Sequence, residues 1–448
     1  MKIINRLTVA AIIMLSTLLG GCGGEVEGLH VATTDDGLNI KMKRYRPNPN
    51  RNFNNGTPIL LFPGITLNFN QFDVHTPKGE RRYDFEVPSS APAFIRRDRT
   101  TRNDPMKYFS MAHYLYLQGY DVWMANYRGV GRGDFQSDRG KRNTNLDVWC
   151  ALDYPAAVDK VIEVTGKKPV IGGHSTGGLC AYLYLQGYYM DPAEVTDNDL
   201  VLPHADASPF LAVERNEKVA GFLGLDPAGT PILAFEFLLD NPLIFGILGS
   251  DIYVDLDTIL PAVIPLLPNN IVSGVIDAFF DVIGFFADMT PGWFPQWADV
   301  FGALDFWSTE DMNKYVEHFH AVEAFSSFYL GGFSQYADWG INGVFREHWQ
   351  NGEGNRLIAI PPDPEMGDGY YYFEDNMARM TVPAFSVFSD SSGLVDTDTM
   401  VEILYNGKTQ HPHDDWIEVP NTGHIDVVNG DKAPEIAFPA IVDWLDNL

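Results

Sequence analysis

Three cysteines in 448 residues are too few for a disulfide-built scaffold, and the apolar run from Leu7 to Leu19 is too short to cross a bilayer as a helix, which takes roughly 20 residues. Basic residues are also scarce. Lys and Arg number 31 against 59 Asp and Glu, a formal net charge of −28. Such a charge repels nucleic acid and favours solubility, so no nucleic-acid partner is expected. Metal-ligand patterns are equally thin: the His411 to Asp415 run (HPHDD) has suitable residue types but no partner cluster elsewhere, and no metal is expected. No sequence signal places Cys150 within disulfide range of Cys180, and two buried free thiols are the expectation. What remains is a chain long enough for one large α/β domain with an insertion, or for two domains.

At the N-terminus, Lys2 and Arg6 precede the apolar run, which closes on Leu19-Gly20-Gly21-Cys22. This resembles a bacterial lipoprotein signal. The resemblance implies removal of residues 1–21, lipidation of Cys22 as a membrane anchor, and a tether over 22–30. The location would then be the cell envelope, at the outer membrane if the source is Gram-negative, since Gly23 and not Asp follows the cysteine. A plain secretory signal cut nearby would instead give a secreted protein.

From Val31 onward, strand-like and helix-like segments alternate, which predicts an α/β fold with a mostly parallel central sheet flanked by helices. The pattern comes in two parts, 31–229 and 376–448. Between them, 230–375 lacks the strand and turn rhythm and is dense in Phe, Trp, Tyr, Leu and Pro. It reads as an inserted, mainly helical cap or lid. Within it, Asn270, Gly274, Asp277, Asp281, Gly284 and Asp288 form a narrow polar stripe on a helix otherwise rich in Phe, Val and Ile.

The most informative stretch is Pro169 to Gly178 (PVIGGHSTGG), an apolar strand that stops at glycine and delivers Gly173-His174-Ser175-Thr176-Gly177 before a helix. A serine attacks a carbonyl only if held exposed on a sharp strand-to-helix turn, where flanking glycines let neighbouring backbone approach. Ser175 is therefore the candidate nucleophile. The helix start would aim Thr176 N–H at a developing oxyanion. A second donor is expected from the loop after PILLF, where Gly64 permits a tight turn that presents Ile65 N–H. The base would be His424, in Asn421-Thr422-Gly423-His424 after the last strand. The order Ser before His fits the nucleophile-elbow folds, not the trypsin-like or subtilisin-like orders. His318 and His320, in an aromatic stretch, read as structural.

Together the segments TTDDGLNIKMKRYRP, PILLFPG, GYDVWMANYRGVGRG, LDYPAAVDKVIEVTG, GGHSTGG, YFEDNMARMTVP and GHIDVV resemble, in order and spacing, the acid lipase branch of the α/β-hydrolases, the gastric and lysosomal lipases. In the cap only FSSFYLGGFSQYADWG matches. The resemblance implies the α/β-hydrolase fold, with Ser175 as nucleophile and His424 as base. Two departures stand out. Pro63-Gly64 replaces the family's His-Gly in the oxyanion loop, and Ser392 stands where the family has its triad Asp. Asp226, in GFLGLDPAG, lies at a neighbouring strand end from which pancreatic-type lipases, another hydrolase branch, take their acid. Asp226 is thus the expected acid, with Asp390 and Asp396 as alternatives. The implied activity is hydrolysis of carboxylic esters with lipid or other apolar acyl groups, through an acyl-enzyme and without metal or organic cofactor. An acyltransferase or thioesterase would use the same residues. A non-catalytic surface lipoprotein acting as a binding module is the reading from another class.

Overall fold

Eight short segments, five of them buried on both faces, decide the architecture. In the computed structural model, which describes residues 27–47, 56–80, 82–141, 144–196, 205–229, 253–258, 311–348 and 370–448, they assemble into one eight-stranded sheet. Residues 1–21, read above as a signal, together with Cys22 and the stretch 270–288, lie outside the described residues.

The strands are β1 (Glu27–Thr33), β2 (Asn39–Tyr45), β3 (Pro58–Phe62), β4 (Asp121–Ala125), β5 (Val170–His174), β6 (Gly221–Leu225), β7 (Ala384–Ser389) and β8 (Asp415–Val419). Their spatial order is β1-β2-β4-β3-β5-β6-β7-β8. The β1–β2 and β2–β4 pairs are antiparallel, and every pair from β4 to β8 is parallel. All residues of β3 to β7 are buried, as continuous apolar strands must be when helices cover both faces. The edge strand β8 keeps Asp415, Trp416 and Glu418 exposed, and charge on an edge discourages pairing with other chains.

The helices follow their sequence signals. Helix α1 (Met111–Leu117) starts at Ser110, whose Oγ accepts from His113 N–H at 3.1 Å. Helix α2 (Tyr154–Thr165) stops at Gly166, which takes the left-handed conformation at φ 66°. Helix α3 (Thr176–Leu185) is buried on all sides, which its lack of a polar face requires. Helices α4 (Pro209–Lys218), α5 (Leu330–Asn342) and α6 (Phe438–Asp446) complete the longer ones described.

Three features differ from the sequence reading. Strand β1 begins at Glu27, paired with Tyr45, so 27–30 belong to the sheet and not to a tether. Gly28 and His30 blur the alternation that would have revealed it. Cys150 and Cys180 form a disulfide, with their Cα atoms 4.4 Å apart, correcting the expectation of free thiols. Cys150 lies in the helical turn Trp149–Asp153 and Cys180 in α3, and only their packing against each other brings them into range. Finally, Tyr329, Tyr336, Trp339 and Phe345, from the 230–375 insertion, join the same apolar cluster as Leu146, Trp149 and Tyr182. This part of the insertion is therefore packed into the main core.

Candidate active site

Strand β5 ends at His174, and the chain enters α3 through Ser175 at φ 52°, ψ −115°. A non-glycine residue at positive φ is strained by about 1–3 kcal/mol and persists only where the surroundings enforce it. Here Ser175 N–H donates to Leu225 O at 3.0 Å, while Ser175 O accepts from Leu179 N–H at 3.1 Å and Ala228 N–H at 3.0 Å. Both ends of its peptide geometry are thus locked by β6 and the turn after it. The glycines permit the crowding. A Cβ at Gly177 would collide with Phe62 O, and one at Gly64 would lie 2.9 Å from His174 Nδ1 and 3.3 Å from Ser175 Cβ.

Asp226 is the first residue beyond β6 and takes φ 44°. Its N–H donates to Val387 O at 2.8 Å, which fixes the turn against β7. The carboxylate is wholly buried and held by three donors: His424 Nδ1–H to Oδ2 at 2.6 Å, Ser389 Oγ–H to Oδ2 at 2.9 Å, and Ser389 N–H to Oδ1 at 3.2 Å. Because a carboxylate accepts, His424 carries its proton on Nδ1 and keeps Nε2 for accepting a proton. Asp226 is therefore engaged across the sheet top, not by its own turn.

The alternative acids have local work. Asp390 is exposed and accepts from Ser391 Oγ–H at 2.7 Å and Thr422 N–H at 3.1 Å, and the hydrogen bonds that outweigh its partial burial lower its pKa. Asp396 caps the helical turn Thr397–Val401, accepting from Thr399 N–H at 2.8 Å. Ser392, at the position where the resemblance places a carboxylate, accepts from Leu394 N–H at 3.1 Å and Val395 N–H at 3.2 Å. His424 meets Asp226.

Sequence reasoning missed the group that ties these loops together. His174 Nε2–H donates to the His424 carbonyl at 2.9 Å, so His174 Nδ1 accepts from Gln71 Nε2–H at 2.8 Å. Gln71 Oε1 in turn accepts from Gly64 N–H at 3.3 Å. Burial, followed by the neighbouring His424, pushes the His174 pKa well below the usual histidine value, so this imidazole stays neutral and works as a strut. The only sequence signal was the position of His174 beside Ser175.

On the other side of Ser175, Ile65 N–H donates to Thr176 Oγ1 at 3.2 Å. The Thr176 hydroxyl also shares a 2.6 Å hydrogen bond with the hydroxyl of Tyr336, a buried residue of α5. The Ile65 amide, expected at the oxyanion, is thus engaged by the nearest hydroxyl acceptor. Tyr336 belongs to the FSSFYLGGFSQYADWG segment, whose pattern alone gave no hint of a contact with the elbow. His318 pairs with Glu80 at 2.8 Å, and His320 Nε2–H donates to Asn429 Oδ1 at 2.9 Å, both away from Ser175 in sequence and partner. In the HPHDD run, Asp414 pairs with Lys408 at 2.6 Å and accepts from His411 N–H at 2.7 Å, a turn-closing role.

A family model described as the alpha/beta hydrolase fold matches residues 92–201. No curated protein sequence matches the chain. Among solved structures, the chain is similar to a membrane phospholipase A described as a novel bacterial virulence factor, at 12% identity over 99% of this chain and 93% of that one, with a TM-score of 0.44. It is similar to an esterase from Thermogutta terrifontis at 13% identity, covering 94% and 98% of the two chains, with a TM-score of 0.42. An alpha/beta hydrolase from Novosphingobium aromaticivorans matches at 16% identity, covering 95% and 100%, with a TM-score of 0.42. The chain has the alpha/beta hydrolase fold, on its own strand order and on the family model.

Proposed function

We propose that this chain is a serine hydrolase that cleaves carboxylic esters with apolar acyl groups, using Ser175, His424 and Asp226. The observation that carries the proposal is the 2.6 Å contact of His424 Nδ1 with Asp226 Oδ2, Asp226 standing at the end of the strand that pairs with the one leading into Ser175. In this mechanism His424 Nε2 takes the Ser175 proton as Oγ attacks the ester carbonyl. Asp226 keeps the imidazole in the required tautomer and stabilises the imidazolium that forms. Thr176 N–H, at the first turn of α3, donates to the oxyanion. Collapse of the tetrahedral species moves the proton from His424 to the leaving alcohol and leaves an acyl-serine. Water then attacks the acyl carbon, His424 accepting its proton, and the second tetrahedral species collapses by breaking the bond to Ser175 Oγ, which takes the proton back from His424 as the carboxylic acid departs. Every step is carried by side chains, backbone and water.

The apolar character of the 230–375 insertion supports an acyl chain as the recognised group. The Leu19-Gly20-Gly21-Cys22 sequence supports a lipid-anchored envelope location, and the Cys150–Cys180 disulfide agrees with an oxidising compartment outside the cytoplasm. The test is hydrolysis of p-nitrophenyl esters from acetate to palmitate by residues 23–448 and by Ser175→Ala. Turnover rising with chain length and absent from Ser175→Ala is expected. No turnover on any ester, with no labelling by a fluorophosphonate, would refute the assignment.

A further inference from the structure

The Ile65 amide, the expected second oxyanion donor, is engaged by Thr176 Oγ1 at 3.2 Å. An amide can only donate, so Thr176 Oγ1 receives that hydrogen and still holds its own. Its other partner is Tyr336 Oη at 2.6 Å, which places the phenol against the residue that directly follows Ser175. Two hydroxyls joined by one hydrogen bond use one of their two hydrogens, which leaves one over. With Thr176 donating to Tyr336, the remaining hydrogen is the phenol's.

We propose that Tyr336 is a catalytic residue whose hydroxyl donates to the oxyanion, completing with Thr176 N–H the donor pair that Ile65 supports from behind. This deepens the ester-hydrolase reading and rests on it. The run Ile65 N–H to Thr176 Oγ1–H to Tyr336 Oη is a series in which each hydrogen bond polarises the next in a dry site, and it leaves the phenol hydrogen for the oxyanion. Tyr336 is 3% exposed, and its ring is fixed edge-on against Trp339 at a centroid distance of 5.0 Å. The donor is thus preorganised by α5 before charge develops, the arrangement that makes such donors effective. Burial raises the phenol pKa, so the hydroxyl remains protonated at neutral and mildly alkaline pH. The role also assigns a function to α5: the insertion contributes to the reaction as well as to the enclosure of the site.

Tyr336→Phe keeps the ring and removes the hydroxyl. With p-nitrophenyl butyrate it should lose about 100-fold in kcat with KM within about threefold, and bind butaneboronic acid, whose serine adduct places an oxygen at the oxyanion position, about 100-fold more weakly. A purely structural role would not track the boronate affinity. If Tyr336→Phe melts at the assay temperature, the Thr176 pair decides: Thr176→Val should lose at least about tenfold more kcat than Thr176→Ser, which keeps a hydroxyl for the phenol. Tyr336→Phe within twofold of the parent in kcat and boronate affinity, with Ser175→Ala inactive, overturns this role and leaves the hydrolase standing. Equal losses in Thr176→Val and Thr176→Ser overturn it too. An inactive parent that also fails to label with a fluorophosphonate removes both readings.

Discussion

The site has two sides of different origin. Ser175, Asp226 and His424 sit after the ends of β5, β6 and β8, the first two held by backbone bonds to neighbouring strands and His424 by the His174 and Asp226 side chains. The Ile65, Thr176 and Tyr336 side joins a loop amide, the first residue of a helix and a helix from the insertion through two side-chain hydroxyls. The difference is one of rigidity and of legibility. A residue at the end of a central parallel strand has its position fixed by the sheet, whereas Tyr336 reaches Thr176 across 160 residues of sequence by packing. In the proposed hydrolase, the strand side would position the proton chemistry and the insertion side would shape where charge collects.

The comparison breaks most visibly at Ser175. Ser175→Ala should lower kcat by about 10⁴-fold or more while leaving the thermal transition in place, since its strain and backbone bonds survive the change. Residual activity near that of the parent would show that both sides lack a catalytic centre.

A smaller effect is expected at the strut that links the two sides. Gln71→Ala leaves His174 Nδ1 and Gly64 N–H without their buried partner, so stability to urea should fall by about 2–4 kcal/mol, on the scale of orphaned buried polar groups. The kcat should fall by about tenfold, because the oxyanion loop and the His424 carbonyl lose a common anchor. Loss of stability with unchanged kcat would mean that the strut serves the fold only.

The finest distinction is in pH dependence. His320 is buried and its pKa is lowered to about 4 by desolvation, so the unfolded chain takes up a proton below about 6.5 that the native state refuses. Stability from this group falls as pH drops from about 6.5 to about 4, by about 3 kcal/mol. Asp147 is the reverse. Burial first, then repulsion from Glu347, raises it to about 6, while it accepts from Gln335 Nε2–H of α5 at 2.8 Å. Its ionisation costs about 3 kcal/mol above pH 6, a cost that disappears as pH falls toward 4. Urea titrations at pH 7 and pH 5 separate them. Relative to the parent, His320→Gln should gain stability on going to pH 5 and Asp147→Asn should lose it. The same sign for both would contradict the opposite shifts assigned to the two groups.

Much of this arrangement was readable because its signals are local. PILLF, DVWMA, VIGGH, GFLGL and AFSVFS are apolar on both faces and became the central parallel strands. The elbow followed from glycines flanking a serine after such a strand. What escaped was long-range or weakly patterned: the start of β1 at Glu27, the Cys150–Cys180 pair, the Gln71–His174 strut and the Tyr336 contact all depend on packing that no periodicity encodes. Asp226 lies between these cases. Its strand end already favoured it over Asp390 and Asp396, but only the fold brings Ser389 and His424 together on its carboxylate.

The central claim is that the acid partner of His424 is Asp226 at the end of β6. Side-by-side kcat measurements on Asp226→Asn and Asp390→Asn with p-nitrophenyl butyrate test it most directly. A loss of about 10³- to 10⁴-fold in Asp226→Asn, with Asp390→Asn within about twofold of the parent, is the predicted result. The reverse pattern, or two variants of equal activity, would contradict it.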